Sequence, residues 1–125
     1  MATFIAIPGK TQSKAAMKRV LDYVTKAQKT AYDHPNTERQ YLLVSGQNCV
    51  PEAAYKEFMN TKDKYRKANG VFYKQYVQSF KPDCGATPDQ VHQMGVALAK
   101  RFEGYEVVIA THIDADHWHN HLIVN

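Results

Sequence analysis

The segment Thr111-His112-Ile113-Asp114-Ala115-Asp116-His117-Trp118-His119-Asn120-His121 constrains the fold more than any other, because it gathers four of the chain's six histidines into eleven residues. Its alternation on either side of Ala115-Asp116 is the pattern of two strands meeting at a tight turn. With the turn there, His112 stands opposite His119 and Ala110 opposite His121, and residues in register or two apart on a strand share a face. His112, Asp114, His117, His119 and His121 then project from one face. Ile109, Thr111, Ile113, Trp118, Leu122 and Val124 project from the other, where they offer a surface to a core. Positions two apart are separated by roughly 6.5 to 7 Å and cross-strand partners by about 5 Å, so three imidazoles can converge on one ion. Three histidine ligands with open coordination positions are a catalytic pattern, since structural zinc takes four protein ligands, often with cysteine. An accidental cluster of histidines, a zinc site that only holds the fold, and histidines hydrogen-bonded along a polar sheet face are the competing readings.

Upstream of the hairpin, Thr3 to Ile7 is a short β-prone run closed by Pro8-Gly9, with Lys10 following. From Ser13 to Gln28 apolar residues recur at Ala16, Val20, Val24 and Ala27, with Met17, Leu21 and Tyr23 widening the stripe, which is helical spacing. The polar stretch Ala31 to Gln40 reads as a loop, and Tyr41-Leu42-Leu43-Val44 as a second strand closed by Ser45-Gly46. Pro51-Glu52 opens a helix running to Ala68, stopped by Asn69-Gly70, with Lys62, Lys64, Arg66 and Lys67 as a solvated basic end. Val71 to Phe80 is a third strand, with Ser79 at its end. Thr87-Pro88-Asp89 supplies a cap, a first-turn proline and a first-turn acid for a helix to Phe102, stopping near Gly104. Glu106 to Asp114 and Trp118 to Asn125 complete the order. The expected fold is an α+β sandwich, with a mostly antiparallel central sheet of about five strands and flanking helices. A chain of 125 residues suffices for one core but not two, so a single domain is expected. Ile123-Val124-Asn125 reads as mid-strand, so the sequence looks like the N-terminal part of a longer domain.

Composition narrows the classes. An apolar fraction of 44% with 22% charged residues is that of an ordinary globular protein. No apolar run reaches the length of a membrane helix, and the N-terminus lacks the charged-then-apolar order of a signal peptide, so a cytoplasmic protein is expected. Cys49 and Cys84 lie far apart without CxxC spacing, which leaves them as reduced structural thiols. The formal charge of +4 favours a polyanionic partner.

The run His112-x-Asp114-x-x-x-x-His119-x-His121-x-x-x-Asn125 resembles the three-histidine signature of the relaxase/mobilisation nuclease family, members of the HUH endonucleases. Leu21-Asp22-Tyr23-Val24 followed by Lys29-Thr30 resembles that family's nucleophile helix. Val77-Gln78-Ser79-Phe80 followed by Thr87-Pro88 resembles its middle motif, so the similarity spans essentially the whole chain. The tyrosine precedes the histidines, which is the relaxase order. One departure follows Ser79-Phe80-Lys81-Pro82-Asp83, where relatives commonly carry a glutamate and this chain has Cys84-Gly85.

The resemblance implies a relaxase domain that nicks single-stranded DNA at the origin of transfer of a plasmid or integrative conjugative element. Tyr23 is the implied nucleophile, with Tyr32 as the alternative, and His112, His119 and His121 are the implied ligands of a divalent ion, Mn2+ or Mg2+. Asp114 and His117 are candidates to assist the tyrosine. Asp114 is read chiefly as an acceptor that orients a ligand imidazole, and His117 and Asn125 as residues lining the site. Ser79 is expected to touch a DNA phosphate, and Lys14, Lys18, Arg19, Lys26 and Lys29 around the first helix either to hold the DNA backbone or to form only a solvated basic face. His34 and His92 are read as a loop and a helix-surface histidine without chemistry. Implied partners are relaxosome accessory proteins and a type IV coupling protein in a bacterial cytoplasm. Two other classes stand beside this one: a metal-dependent phosphoesterase acting without a tyrosine adduct, and a DNA-binding module with a structural metal.

Overall fold

Strand β1 (Ala2–Ile7) opens the fold, and helix α1 (Lys14–Val24) follows, started by Ser13, whose side chain accepts from the Ala16 amide at 3.1 Å. The computed structural model describes residues 2–8, 12–33, 40–65 and 70–125. A short helix α2 (Ala27–Thr30) leads into β2 (Ala31–Asp33), which pairs with β3 (Gln40–Leu42) as a separate two-stranded ribbon. Strand β4 (Val44–Gln47), helix α3 (Ala54–Lys64) and strand β5 (Lys74–Phe80) come next. Helix α4 (Pro88–Ala99) has a full capping box, in which Thr87 and Gln90 satisfy each other's backbone amides, and Gly104 at φ 87 turns the chain beyond it. Strands β6 (Val107–His112) and β7 (His119–Val124) complete the order.

Among the described residues the main sheet runs β1-β5-β7-β6-β4, antiparallel at every pairing, the α+β architecture expected. On one face α1 and α3 bury Met17, Leu21, Val24 and Phe58 against Val108, Ala110 and Ile123. On the other, α4 and the turn after it cover Ile109, Leu122 and Val124. Each such large apolar side chain contributes about 1.5 to 3 kcal/mol on burial. Helix α4 sits so close that a Cβ on Gly95 would fall 2.7 Å from the Asn120 side chain. The histidine face is therefore polar only near the hairpin turn and becomes core further along. Among the described residues no helix is long and apolar enough to cross a membrane.

Several local expectations are corrected. The first helix does not run to Gln28: it stops at Val24, where Thr25 caps it and its hydroxyl turns back to the Leu21 carbonyl at 2.8 Å. Ala31–Asp33 is strand rather than loop, and Tyr41 to Val44 is not one strand. Leu43, 2% exposed, divides it, donating to the Thr30 carbonyl and accepting from the Thr111 amide. An unbroken apolar run cannot show on which side of such a residue the chain changes partners. Lys62 is not solvated: it is 4% exposed, its ammonium lies over the Phe58 and Phe72 rings, and it donates to Asn125. His92 is no surface residue either. Its ring is buried between Ser45 Oγ, at 2.6 Å from Nε2, and Thr111 Oγ1, at 2.7 Å from Nδ1. Gly9, Lys10, His34, Arg66, Lys67 and Asn69 lie outside the described residues.

Replacing His92 with Ala removes the partner of two hydroxyls and leaves a void beneath α4. His92→Ala should lower unfolding free energy by about 2 to 3 kcal/mol, measured by urea denaturation. A loss under about 0.5 kcal/mol would be the behaviour of a surface position and would contradict this burial.

Candidate metal centre and nucleophile

The β6–β7 pairing sets His112 opposite His119 and Ala110 opposite His121, the register read from the alternation. The three rings face one another, with centroids 5.1 Å apart for His112 and His119, 4.2 Å for His112 and His121, and 4.8 Å for His119 and His121. One ring nitrogen from each lies within 4.8 Å of those of the other two, the arrangement of a three-ligand metal cradle.

Each ring has its other nitrogen engaged. His112 Nε2–H donates to the Val24 carbonyl at 2.9 Å, which leaves Nδ1 free. His119 Nδ1–H donates to the His117 carbonyl at 3.0 Å, which leaves Nε2 free. His121 Nδ1 is 3.1 Å from the Gln75 amide nitrogen, and its Nε2 is buried with no hydrogen-bond partner. A buried polar atom without a partner costs about 1 to 3 kcal/mol, a cost that a coordinated cation removes. Imidazoles are donors a divalent ion takes, two of these have their outer nitrogens fixed by main-chain carbonyls and the third has a buried nitrogen without a partner, so these residues fit one.

Burial also keeps two of the rings, His112 and His121, neutral. His121 is pushed down to about 3 by desolvation first, and then by the neighbouring His112, His119 and Lys29. His112, 1% exposed, is lowered chiefly by desolvation, against the opposing pull of its bond to Val24. Neither ring holds a proton that a cation would have to displace at neutral pH.

Tyr23 lies in the last turn of α1, 46% exposed, its ring edge-on to His112 with centroids 5.8 Å apart at 72°. The ammonium of Lys29 stands 5.2 Å and that of Lys26 5.9 Å from the Tyr23 ring centroid. Ser79 is in register with His119 and therefore on the histidine face. Tyr32 lies on the side ribbon, opposite Tyr41.

Other expected site residues are placed differently. Asp114 turns to Lys29, from which its Oδ2 accepts at 3.1 Å, while the His112 ring is held by the Val24 carbonyl. Burial alone would raise the Asp114 carboxyl, but the bond and charge of Lys29 bring it below its ordinary range and raise Lys29 in turn. His117 is exposed in the hairpin loop and contributes its carbonyl, through His119. Asn125 sits at the far end of β7, bonded to Glu106, the Phe58 carbonyl and Lys62, so it ties α3 to β6 instead of lining the site. Lys14, Lys18 and Arg19 lie on the exposed side of α1, with Lys18 paired to Asp22 at 2.9 Å. Cys84 lines a cavity of about 660 Å³ with Trp118 and Asp116, next to the hairpin turn. Gln75 and the Val24 carbonyl were not anticipated. Period-two counting back from Ser79 puts Gln75 on the Ser79 face, but only the strand order brings it to His121.

The relaxase family model described as MobA/VirD2-like, nuclease domain, matches residues 23–125, and the chain belongs to this family. It is similar to Protein rlx of Staphylococcus aureus, 39% identical over 82 residues that cover 65% of this chain and 26% of that protein. It is also similar to the Group II intron-interrupted relaxase LtrB of Lactococcus lactis subsp. cremoris, 34% identical over 126 aligned positions that cover 98% of this chain and 22% of that protein. The chain thus spans about a quarter of the length of these relatives.

The neutral histidines set a pH dependence for the metal-free protein. Folded values for His92, His112 and His121 lie below the unfolded value, so the unfolded chain binds more protons once pH drops past about 6.5. Stability should therefore be fully present above about pH 6.5 and fall as pH is lowered toward about 3, by up to about 1.4 kcal/mol per pH unit for each ring kept neutral. Urea midpoints measured in chelator across this range test it; midpoints unchanged down to about pH 5 would mean that the rings are not desolvated.

Proposed function

We propose that this chain is the DNA-nicking part of a relaxase, in which Tyr23 cuts single-stranded DNA at an origin of transfer beside a divalent ion held by His112, His119 and His121. The observation that carries the proposal is the edge contact of Tyr23 with His112, which joins nucleophile and metal cradle in one site. A bound Mn2+ or Mg2+ would supply positive charge to a non-bridging oxygen of the scissile phosphate.

The chain's own residues do the rest. Tyr23 Oη attacks phosphorus, forming an O–P bond as the bond from phosphorus to the 3′-oxygen breaks. The phenolic proton passes to solvent and the departing 3′-oxygen takes one up. The product is a 5′-phosphotyrosine, which conserves the bond energy and allows later rejoining. Lys26 and Lys29 flank the ring that carries the attacking oxygen, so positive charge stands near the developing negative charge. Ser79, in register with His119, would donate its hydroxyl to the same phosphate. Asp114 holds Lys29 in place rather than touching DNA. Lys14, Lys18 and Arg19 extend the basic surface along α1, Lys18 less effectively because Asp22 already pairs with it. In a bacterial cytoplasm the partners of such a domain are the origin DNA, accessory proteins of the relaxosome and a type IV coupling protein.

The decisive test is a covalent one. A labelled single-stranded oligonucleotide carrying the cognate origin should give a divalent-ion-dependent adduct on a denaturing gel. Tyr23→Phe removes one oxygen and should abolish the adduct while leaving folding and ion affinity nearly unchanged, and Tyr32→Phe should keep it. Loss with Tyr32→Phe and not with Tyr23→Phe would move the nucleophile to the ribbon. No adduct from any form would favour the phosphoesterase or structural-metal readings.

Phosphate contacts by these cations release condensed counterions, so affinity for single-stranded DNA should fall steeply with salt. Fluorescence anisotropy between about 50 and 200 mM salt should show a loss of about tenfold or more, and a flat profile would rule out a backbone-dominated interface.

A further inference from the structure

We propose that Gln75 is a positioning residue for the metal centre: by a half-turn of its side-chain amide it supports the tautomer in which His121 offers Nε2 to the ion. This inference rests on the reading that the three histidines hold a divalent ion. Gln75 lies on β5, in register with Ile123 and on the same face as Val77 and Ser79, so its side chain reaches diagonally to His121.

Ligation turns on where the ring proton of His121 sits. A ring nitrogen ligates through its lone pair, so ligation by Nε2 requires a neutral ring with its proton on Nδ1. That proton needs an acceptor. The atom facing Nδ1 here is the Gln75 amide nitrogen, at 3.1 Å, which donates and so pairs with the opposite tautomer. A half-turn of the amide replaces that nitrogen with the carbonyl oxygen at the same place, and the amide then accepts from Nδ1–H.

The other two rings have no such freedom. His112 and His119 donate to the main-chain carbonyls of Val24 and His117, which can only accept. Their tautomers are fixed in advance, whereas His121 faces a group that serves either state. Its Nε2 is the buried atom left without a partner, so the ring that is free to switch is also the ring whose ligand atom has nothing else to bind. A glutamate in this place would enforce Nδ1–H permanently, and an apolar residue would enforce neither tautomer.

The test is Mn2+ affinity by calorimetry on wild type, Gln75→Leu and Gln75→Glu, together with the ring-nitrogen NMR signals of His121 in the metal-free and Zn2+-loaded wild type. Gln75→Leu should weaken Mn2+ binding about 10- to 100-fold, and Gln75→Glu should restore wild-type affinity or exceed it. His121 should carry its proton on Nε2 without metal and on Nδ1 with Zn2+. Wild-type binding with Gln75→Leu within about twofold of it, or Zn2+ ligation through Nδ1, would overturn the role of Gln75 alone. If wild type binds neither Mn2+ nor Zn2+, the metal reading falls and this role falls with it. Should Gln75→Leu fail to fold, as judged by its thermal melt, the Gln75→Glu affinity and the wild-type NMR decide the matter.

Discussion

The hydrogen bond from His112 Nε2 to the Val24 carbonyl, 2.9 Å long, connects the two halves of the site and explains the shape of the chain between them. In a continuing helix that carbonyl would accept from the amide four residues on. Diverted to His112, it leaves α1 to end at Val24, and Lys26 then leaves helical backbone at ψ 131 before α2 begins. Two results follow from one bond. Tyr23 is held in the last turn, beside the ring that its neighbour fixes, and α2 is directed at the hairpin. There the Lys29 carbonyl accepts from the Ile113 amide and the Lys29 ammonium binds Asp114. Helix end and hairpin are thus joined at main chain and side chain alike, which keeps the proposed nucleophile within reach of the cradle without a residue spent only on spacing.

The register of the hairpin is protected from the opposite face. Thr111 and Asn120 alternate with the histidines and point beneath α4, where Thr111 Oγ1 donates to Asn120 Oδ1 and accepts from His92 Nδ1–H. Asn120 Nδ2 donates to the Val91 carbonyl and Gln78 Oε1, and Ser45 completes the chain at His92 Nε2. A slip of one residue would send the histidines into this layer and strand every one of those polar groups. Buried networks are costly unless fully paired, so they discriminate strongly between registers. The convergence of His112, His119 and His121 therefore depends on residues that never approach the ion site.

Local signals made much of this readable in advance. Period-two alternation about Ala115-Asp116 specified the pairing of His112 with His119, and Thr87-Pro88 specified the start of α4, because both depend on near neighbours in sequence. What stayed hidden depends on contacts between distant segments. His92 looks like any polar helix residue until Ser45 and Thr111, from two strands, are brought to it. Lys62 belongs to a charged run in sequence, but the stem of a lysine is apolar, and two phenylalanines with Asn125 satisfy it in the core. Asp114 falls in the motif beside the histidines, yet the turn carries it to Lys29. Motif spacing therefore anticipated the convergence of the three histidines, while the partners of individual side chains required the strand order.

Charge completes the physical picture. His112 and His121 are kept neutral by burial, and the nearby carboxylate of Asp114 is compensated by Lys29. Gln75 adds a dipole without a charge. A divalent ion bound by uncharged imidazoles keeps nearly its whole charge for what binds in its open positions, whereas each carboxylate ligand would offset part of it. A phosphodiester, with its negative charge shared by two non-bridging oxygens, is the kind of group such a centre attracts most strongly. The ammoniums beside Tyr23 act in the same sense, since they favour an anion near that ring without contributing a ligand. Pairing Lys29 with Asp114 limits that effect, so that an ion held where the three rings converge would be the strongest positive charge at the site.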